Sequence, residues 1–285
     1  MHIPDCIYLY NGSDASSLNL EEIAEYVKER LGNIEIKVRE DFISFHLHTY
    51  ANILAEKLAL SRVRKIDTKE QKISPLQMEV EYERKNLFSK TFGVLYDGFK
   101  LMVLFSEMIT EKESDLAHCH IILTNQLFGT WDESDCRYHI RVSIYGFPSI
   151  ISTTGIVEAP AKPREFYLSQ RMGADTITLE KEFKGKFIDY NDYRMTEIMK
   201  GYVMQALFFH ITGNPFCEDR SCRLYNAHWQ EEVIHAQIRA ERKSRLSCLS
   251  RFGGGSIGGS GGTGEQEFCE YHQQVLANIK KGKLG

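Results

Sequence analysis

Strand-like and helix-like runs alternate over residues 1–190, whereas 191–285 reads as mainly helical. The pattern predicts an α/β fold: a mixed, partly parallel sheet with helices, followed by a helical C-terminal portion that packs on it as one integrated domain. Two observations carry this most strongly. The chain opens with a strand, a capped helix and a second strand, and 192–210 is apolar over a length only a helix accommodates.

Taken in order, 5–11 reads as a strand, and Asn19 with Glu22 forms a capping box for a helix ending at Gly32. A strand is expected at 34–40 and another at 42–48, then a helix over 50–64. No Gly-rich phosphate loop follows the first strand. The polar stretch 66–90 carries no clear period, and Asp97-Gly98 between two apolar runs predicts a hairpin over 92–105. Strands follow at 118–124, 137–146 and 150–153. The helix at 192–210, opened by Asp192, stops near Gly213-Asn214-Pro215. Asn226 is placed to cap a helix over 227–246, and a Lys-ended helix fills 270–283. GGGSIGGSGGTG (253–264) has the composition of a flexible insert.

Composition narrows the function classes. With 285 residues, 42% hydrophobic and 26% charged, the chain matches an ordinary globular protein. Its net charge of -4 leaves no basic footprint for nucleic acid, and the run Arg239, Arg242, Lys243, Arg245, Arg251 reads as a solvated helix face. No apolar stretch reaches membrane-spanning length, and the N-terminus lacks the basic start and apolar core of a signal peptide. Seven cysteines without a dense framework argue against a disulfide scaffold, so a cytoplasmic protein is expected. Cys6, Cys119, Cys136 and Cys248 read as small apolar residues.

The other three cysteines read differently. Cys217-x4-Cys222 is followed much later by Cys269-x2-His272, and two short pairs across a long insert are the linear form of a four-ligand zinc site. The plain alternative is two unrelated buried thiols with a surface histidine.

The segments FFHITGNPFCEDRSCRL (208–224) and EFCEYHQQVL (267–276) resemble the archaemetzincins, metzincin-type zinc peptidases with a second, cysteine-rich zinc site. Their pattern is H-E-x-x-H-x-x-G-x-x-H-C-x4-C-x-M, then C-x2-C. His210-x2-Gly213-x3-Cys217-x4-Cys222-x-Leu224 falls in that register, and Cys269-x2-His272 stands where the last pair would. Over most of its length, through GTWDESDCRYH, STTGIVEAPAKPRE and NAHWQEE, the chain also resembles an archaeal metallopeptidase-like family. The resemblance implies a metzincin-like fold and zinc, but the catalytic positions have diverged. Ala206 stands for the first His, Leu207 for the Glu, Phe216 for the third His and Leu224 for the Met, and only His210 is retained. Ala, Leu and Phe neither ligate zinc nor move a proton.

A substitute set is readable on the following helix: His228, Glu231 or Glu232, and His235 share one face, and His210 would complete them as ligands with Glu232 as base. The rival reading is an ordinary polar helix face. In 149–167, Gly155, Glu158 and Arg164 are candidates for a cleft wall, and Arg137, His139 and Arg141 alternate on one strand face. The function expected is a zinc metallopeptidase-like protein with a structural zinc and a degenerate catalytic motif. The alternative is a non-catalytic, zinc-stabilised scaffold binding a peptide or protein partner, with neither nucleic acid nor membrane as partner.

Overall fold

The computed structural model describes residues 2–13, 15–47, 51–66, 68–69, 74–87, 93–238 and 267–282. The expected helix beyond 238 and the Gly-rich insert therefore lie outside the described residues, as do the basic run and Cys248.

The chain begins with β1 (Cys6–Gly12), α1 (Leu20–Leu31) and β2 (Glu35–Arg39), with β1 and β2 parallel. Asn19 caps α1 by accepting from the Glu22 amide at 3.1 Å, and Gly32 at φ 84° ends it, as the sequence predicts. The stretch expected as a strand at 42–48 instead opens a short helix, α2 (Phe42–His46), because the Asp41 carboxylate accepts from the Ser44 amide. Next come α3 (Ala51–Ser61) and α4 (Gln77–Asn86). The expected hairpin around Asp97-Gly98 is also replaced. β3 (Leu95–Asp97) leads directly into α5 (Gly98–Met108), and Asp97 accepts from the Phe99 and Lys100 amides. Asp-Gly suits both a turn and a helix start; long-range packing selects the helix.

Then follow β4 (His118–Thr124), β5 (Leu127–Asp132), β6 (Arg137–Arg141), β7 (Ser143–Ile144) and β8 (Ser149–Ser152). The larger sheet has the order β2-β1-β4-β8-β7, parallel except for β7, and β3-β5-β6 form a smaller mixed sheet. β6 and β7 are thus successive pieces of one extended segment, each ending its sheet. The helices α6 (Thr153–Glu158), α7 (Arg164–Arg171) and α8 (Thr176–Glu182) lead to α9 (Met195–Thr212). A helix over 230–238, α10, and α11 (Glu270–Lys280) complete the described chain.

Side chains alternate across the large sheet, as a pleated strand requires. Ile7, Leu9, Cys119, Ile121, Leu123 and Ile151 face a core shared with α1, α6, α9 and α11. Tyr8, Tyr10, Ile122 and Ile150 face a second core made with α2, α3 and α5. Helices on both faces explain why the parallel strands are nearly continuous apolar runs. The first core draws residues from both sides of position 190.

On the second side, burial is polar as well as apolar. The Tyr10 hydroxyl lies 3.1 Å from His46 Nε2 and 3.0 Å from His120 Nδ1, and the Arg39 guanidinium donates to Tyr10 and to both oxygens of Glu113. Burial holds the His120 ring down at about 4, and the Arg39 hydrogen bonds hold the Glu113 carboxyl down at about 2.

Candidate metal centre and cavity

Four side chains from the two C-terminal pairs converge. Cys217 Sγ lies 3.8 Å from Cys269 Sγ, Cys222 Sγ lies 3.7 Å from His272 Nδ1, and Cys269 Sγ lies 3.0 Å from the same nitrogen. All four ligand atoms fall within 4.8 Å of one another. Around a tetrahedral zinc with ordinary bond lengths, sulfur–sulfur edges measure about 3.8 Å and sulfur–nitrogen edges roughly 3.6 Å. The donor chemistry fits zinc, and the 3.8 and 3.7 Å edges match that geometry, while Cys269 and His272 approach more closely, at 3.0 Å.

Local structure explains the convergence. The 217–222 loop is a tight turn: the Asp219 amide donates to Cys217 Sγ, the Cys222 amide donates to the Asp219 carbonyl, and Ser221 closes on the Asp219 side chain. Cys217 then pairs back to 224–225, its amide donating to the Leu224 carbonyl. Cys269 is the N-cap residue of α11 and His272 follows one turn later, so both project from one helix end. Burial pushes the Cys222 thiol up to about 12, raises that of Cys217 and lowers the His272 pKa. Thiolates here need a compensating cation, and the neutral imidazole is ready to ligate one.

Beneath the cluster lies a charged network that sequence reading missed. Arg223, between Cys222 and Leu224, is fully buried. Its guanidinium contacts the Glu197 carboxylate, the Gln237 side chain and carbonyl, and Glu267. Glu267 also accepts from Tyr26 and Arg30 of α1, and its neighbouring amide partner is Arg223, whose N–H donates to the Glu267 carbonyl at 2.7 Å. Burial alone would raise the Glu267 carboxyl, but Arg223 and Arg30 outweigh it and hold it below its ordinary value. α10 approaches α9 closely here: a Cβ on Gly201 would strike the Gln237 side-chain amide.

Across the same 214–228 loop lies an open cavity of about 530 Å³. One wall is the continuous run 139–145 of β6 and β7; the other is the Tyr202, Gln205 and Phe209 stripe of α9 with Phe216, Tyr225 and His228. Tyr145 bridges the walls, its hydroxyl donating to Gln205 Oε1 and its ring meeting Phe216 edge-on at 5.7 Å.

The expected catalytic residues do not gather at this cavity. Ala206 and Leu207 are fully buried in the first core. His210 lies on the side of α9 where its Nε2–H donates to the Leu116 carbonyl at 2.9 Å, and burial lowers its pKa. The helix therefore presents Gln205 and Phe209 to the cavity, one residue out of step with the positions the resemblance singles out. The expected start of α10 also shifts: Glu232, not Asn226, caps it, accepting from the His228 and Trp229 amides. That hydrogen bonding occupies the carboxylate proposed as a base. Glu231 is exposed, and His228 alone of this set lines the cavity. Among the described residues only two groups could hold a metal, and neither contains His210, His228, Glu231 or Glu232. The second group is Asp132, Asp135 and His139 at the β5–β6 hairpin, where Asp132 already accepts from Ser134 and Asp135 pairs with His139 at 2.7 Å.

The cleft residues expected in 149–167 are likewise elsewhere. Gly155 is buried inside α6, Glu158 accepts from Tyr190, and Arg164 stacks over Trp229 at 5.3 Å. From that segment only Ala159 and Pro160 reach the cavity. Of the strand-face trio, His139 and Arg141 line it and Arg137 is exposed. Gln230, unremarked in the sequence, ties the region together. Its amide donates to the Ile156 carbonyl and accepts from the Ile188 amide. Among the remaining thiols, Cys6 and Cys119 are buried, whereas Cys136 is exposed at φ 55°.

No helix among the described residues is long and apolar enough to cross a membrane. A search of curated proteins returned no match. Two solved structures resemble the chain. Archaemetzincin from Methanopyrus kandleri is 11% identical with a TM-score of 0.41, over 98% of this chain and 96% of that one. A zinc-dependent peptidase from Methanocorpusculum labreanum (strain Z) is 10% identical with a TM-score of 0.35, over 81% and 92%. The model of one protein family matches residues 4–244, and by that match the chain belongs to the Probable metallopeptidase family (DUF6775).

Proposed function

We propose that this chain is a member of a peptidase family that binds peptides without cleaving them, held in shape by one structural zinc on Cys217, Cys222, Cys269 and His272. The observation that carries the reading is the contrast around α9. Four soft ligands meet on one side of the 214–228 loop, while the cavity on the other side is lined by Tyr202, Gln205, Phe209 and Phe216. Zinc on the four ligands would fix that loop and, through it, the aromatic wall. An extended peptide would lie along the terminal strands β6 and β7, a mode in which backbone hydrogen bonds supply affinity and flanking pockets supply selectivity.

Metal content and a peptidase assay on the same preparation test this. One zinc per chain with no cleavage of unfolded casein supports the reading. Two zinc ions per chain with zinc-dependent cleavage would overturn it in favour of a hydrolase, and His139 beside Asp132 and Asp135 is where the second ion should then be sought.

A further inference from the structure

The cavity wall carries an unbalanced charge. Among the described residues that line it, Arg141 is the one permanently charged side chain, His139 and His228 are the histidines, and there is no Asp or Glu. The Arg141 Nε donates to Thr130 Oγ1 at 2.8 Å, which fixes the guanidinium plane against β5. Among the described residues its two terminal nitrogens make no hydrogen bond to protein. On the same hairpin Asp132 accepts from Ser134 and feels the Arg141 charge at a distance, and Asp135 pairs with His139, so neither occupies the guanidinium with a hydrogen bond. A planar fork of free N–H donors in a partly enclosed, acid-free wall matches a carboxylate in shape and sign. Tyr145, Phe209 and Phe216, with Tyr145 in ring contact with both phenylalanines, supply apolar surface to the same cavity.

Resting on the peptide-binding reading above, we propose that this cavity selects peptides by a carboxylate seated on Arg141, next to an aromatic or large apolar side chain held among Tyr145, Phe209 and Phe216. A C-terminal carboxylate and a Glu side chain supply the same chemistry. Both would dock as the ligand backbone runs along 139–145, with Arg141 as the specificity-determining residue.

Titration calorimetry on the zinc-loaded chain tests this with three unlabelled peptides: Gly-Val-Ala-Phe as the free acid, the same sequence as its amide, and Gly-Val-Glu-Phe as the amide. The free acid should bind at least tenfold more tightly than its amide, and Arg141→Gln should abolish that preference while Arg141→Lys retains part of it. If the Glu-containing amide matches the free acid, a side-chain carboxylate is the anchor; if it binds as weakly as the plain amide, a C-terminus is. Equal binding of all three peptides would overturn the carboxylate anchor and leave peptide binding intact. No binding of any at millimolar concentration would overturn both. Should Arg141→Gln fail to melt cooperatively, the comparison of acid with amide on the unaltered chain still decides the matter.

Discussion

The 214–228 loop has two sides built from opposite materials. On one, three thiols and an imidazole sit over a buried arginine that is balanced by two glutamates. On the other, aromatic rings and a glutamine line an open cavity whose described wall carries one arginine and no carboxylate. The first side is closed and internally matched, so its groups stabilise the fold; the second leaves donors and apolar surface unsatisfied, the condition for binding something else. The difference teaches that, among the described residues, the soft metal-ligating set and the open cavity occupy opposite sides of one loop, and the only groups that could hold a metal lie away from the α9 residues lining the cavity.

The sharpest way to break this contrast is to remove the cross-link. Cys222→Ser should release the zinc and lower stability by about 5 kcal/mol, since a structural zinc contributes folding energy directly. Zinc analysis with calorimetric melting checks it, and a variant that still binds one zinc at unchanged Tm would show that the cluster is not a structural centre. Next in size is Arg223→Met, which takes the fully buried guanidinium from both Glu197 and Glu267 and leaves them, among the described residues, only Lys200 and Arg30 as cationic partners. It should cost about 3–4 kcal/mol in denaturant unfolding, and Glu197→Gln in the same background should recover part of that.

Acid should act on the second core, not on the metal side alone. The folded His120 pKa, about 4, is below the usual 6.5, so its neutral form is favoured by folding. The contribution is complete above pH 6.5 and is lost as pH falls toward 4. Glu113, held at about 2 against an ordinary 4.5, adds stability above pH 4.5 that disappears toward pH 2. Together these should remove on the order of 2 kcal/mol between pH 6.5 and 4, with more lost below. His120→Gln should flatten the upper part of that curve in urea melts, and an unchanged slope would assign acid sensitivity to the metal side. Gly201→Ala comes next, at roughly 1–2 kcal/mol, because the new methyl must displace Gln237. The smallest effect belongs to the cavity. Phe209→Ala, on a half-buried wall, should change Tm little and zinc content not at all while weakening peptide binding about tenfold. A large loss of zinc in that variant would erase the distinction between the two sides.

Much of this was legible in one dimension. The Cys/His spacing nominated four residues that the fold does bring together, because short pairs on tight turns are local devices whose partners are fixed by chemistry. Asn19 and Gly32 marked α1 for the same reason, and alternating or continuous apolar runs marked β1, β4 and β8. What the sequence left open was decided by contacts distant along the chain. Nearly every face of α9 is apolar and buried, so no polar stripe reveals that Gln205 and Phe209, not Leu207 and His210, meet the cavity. Asp97-Gly98 suits turn and cap alike until β3 pairs with β5 and α5 packs beneath the sheet. Nothing in the sequence singled out Arg223; only the meeting of α1, α9, α10 and Glu267 makes it a buried cation, because a charge this deep persists only where partners from several elements arrive at once.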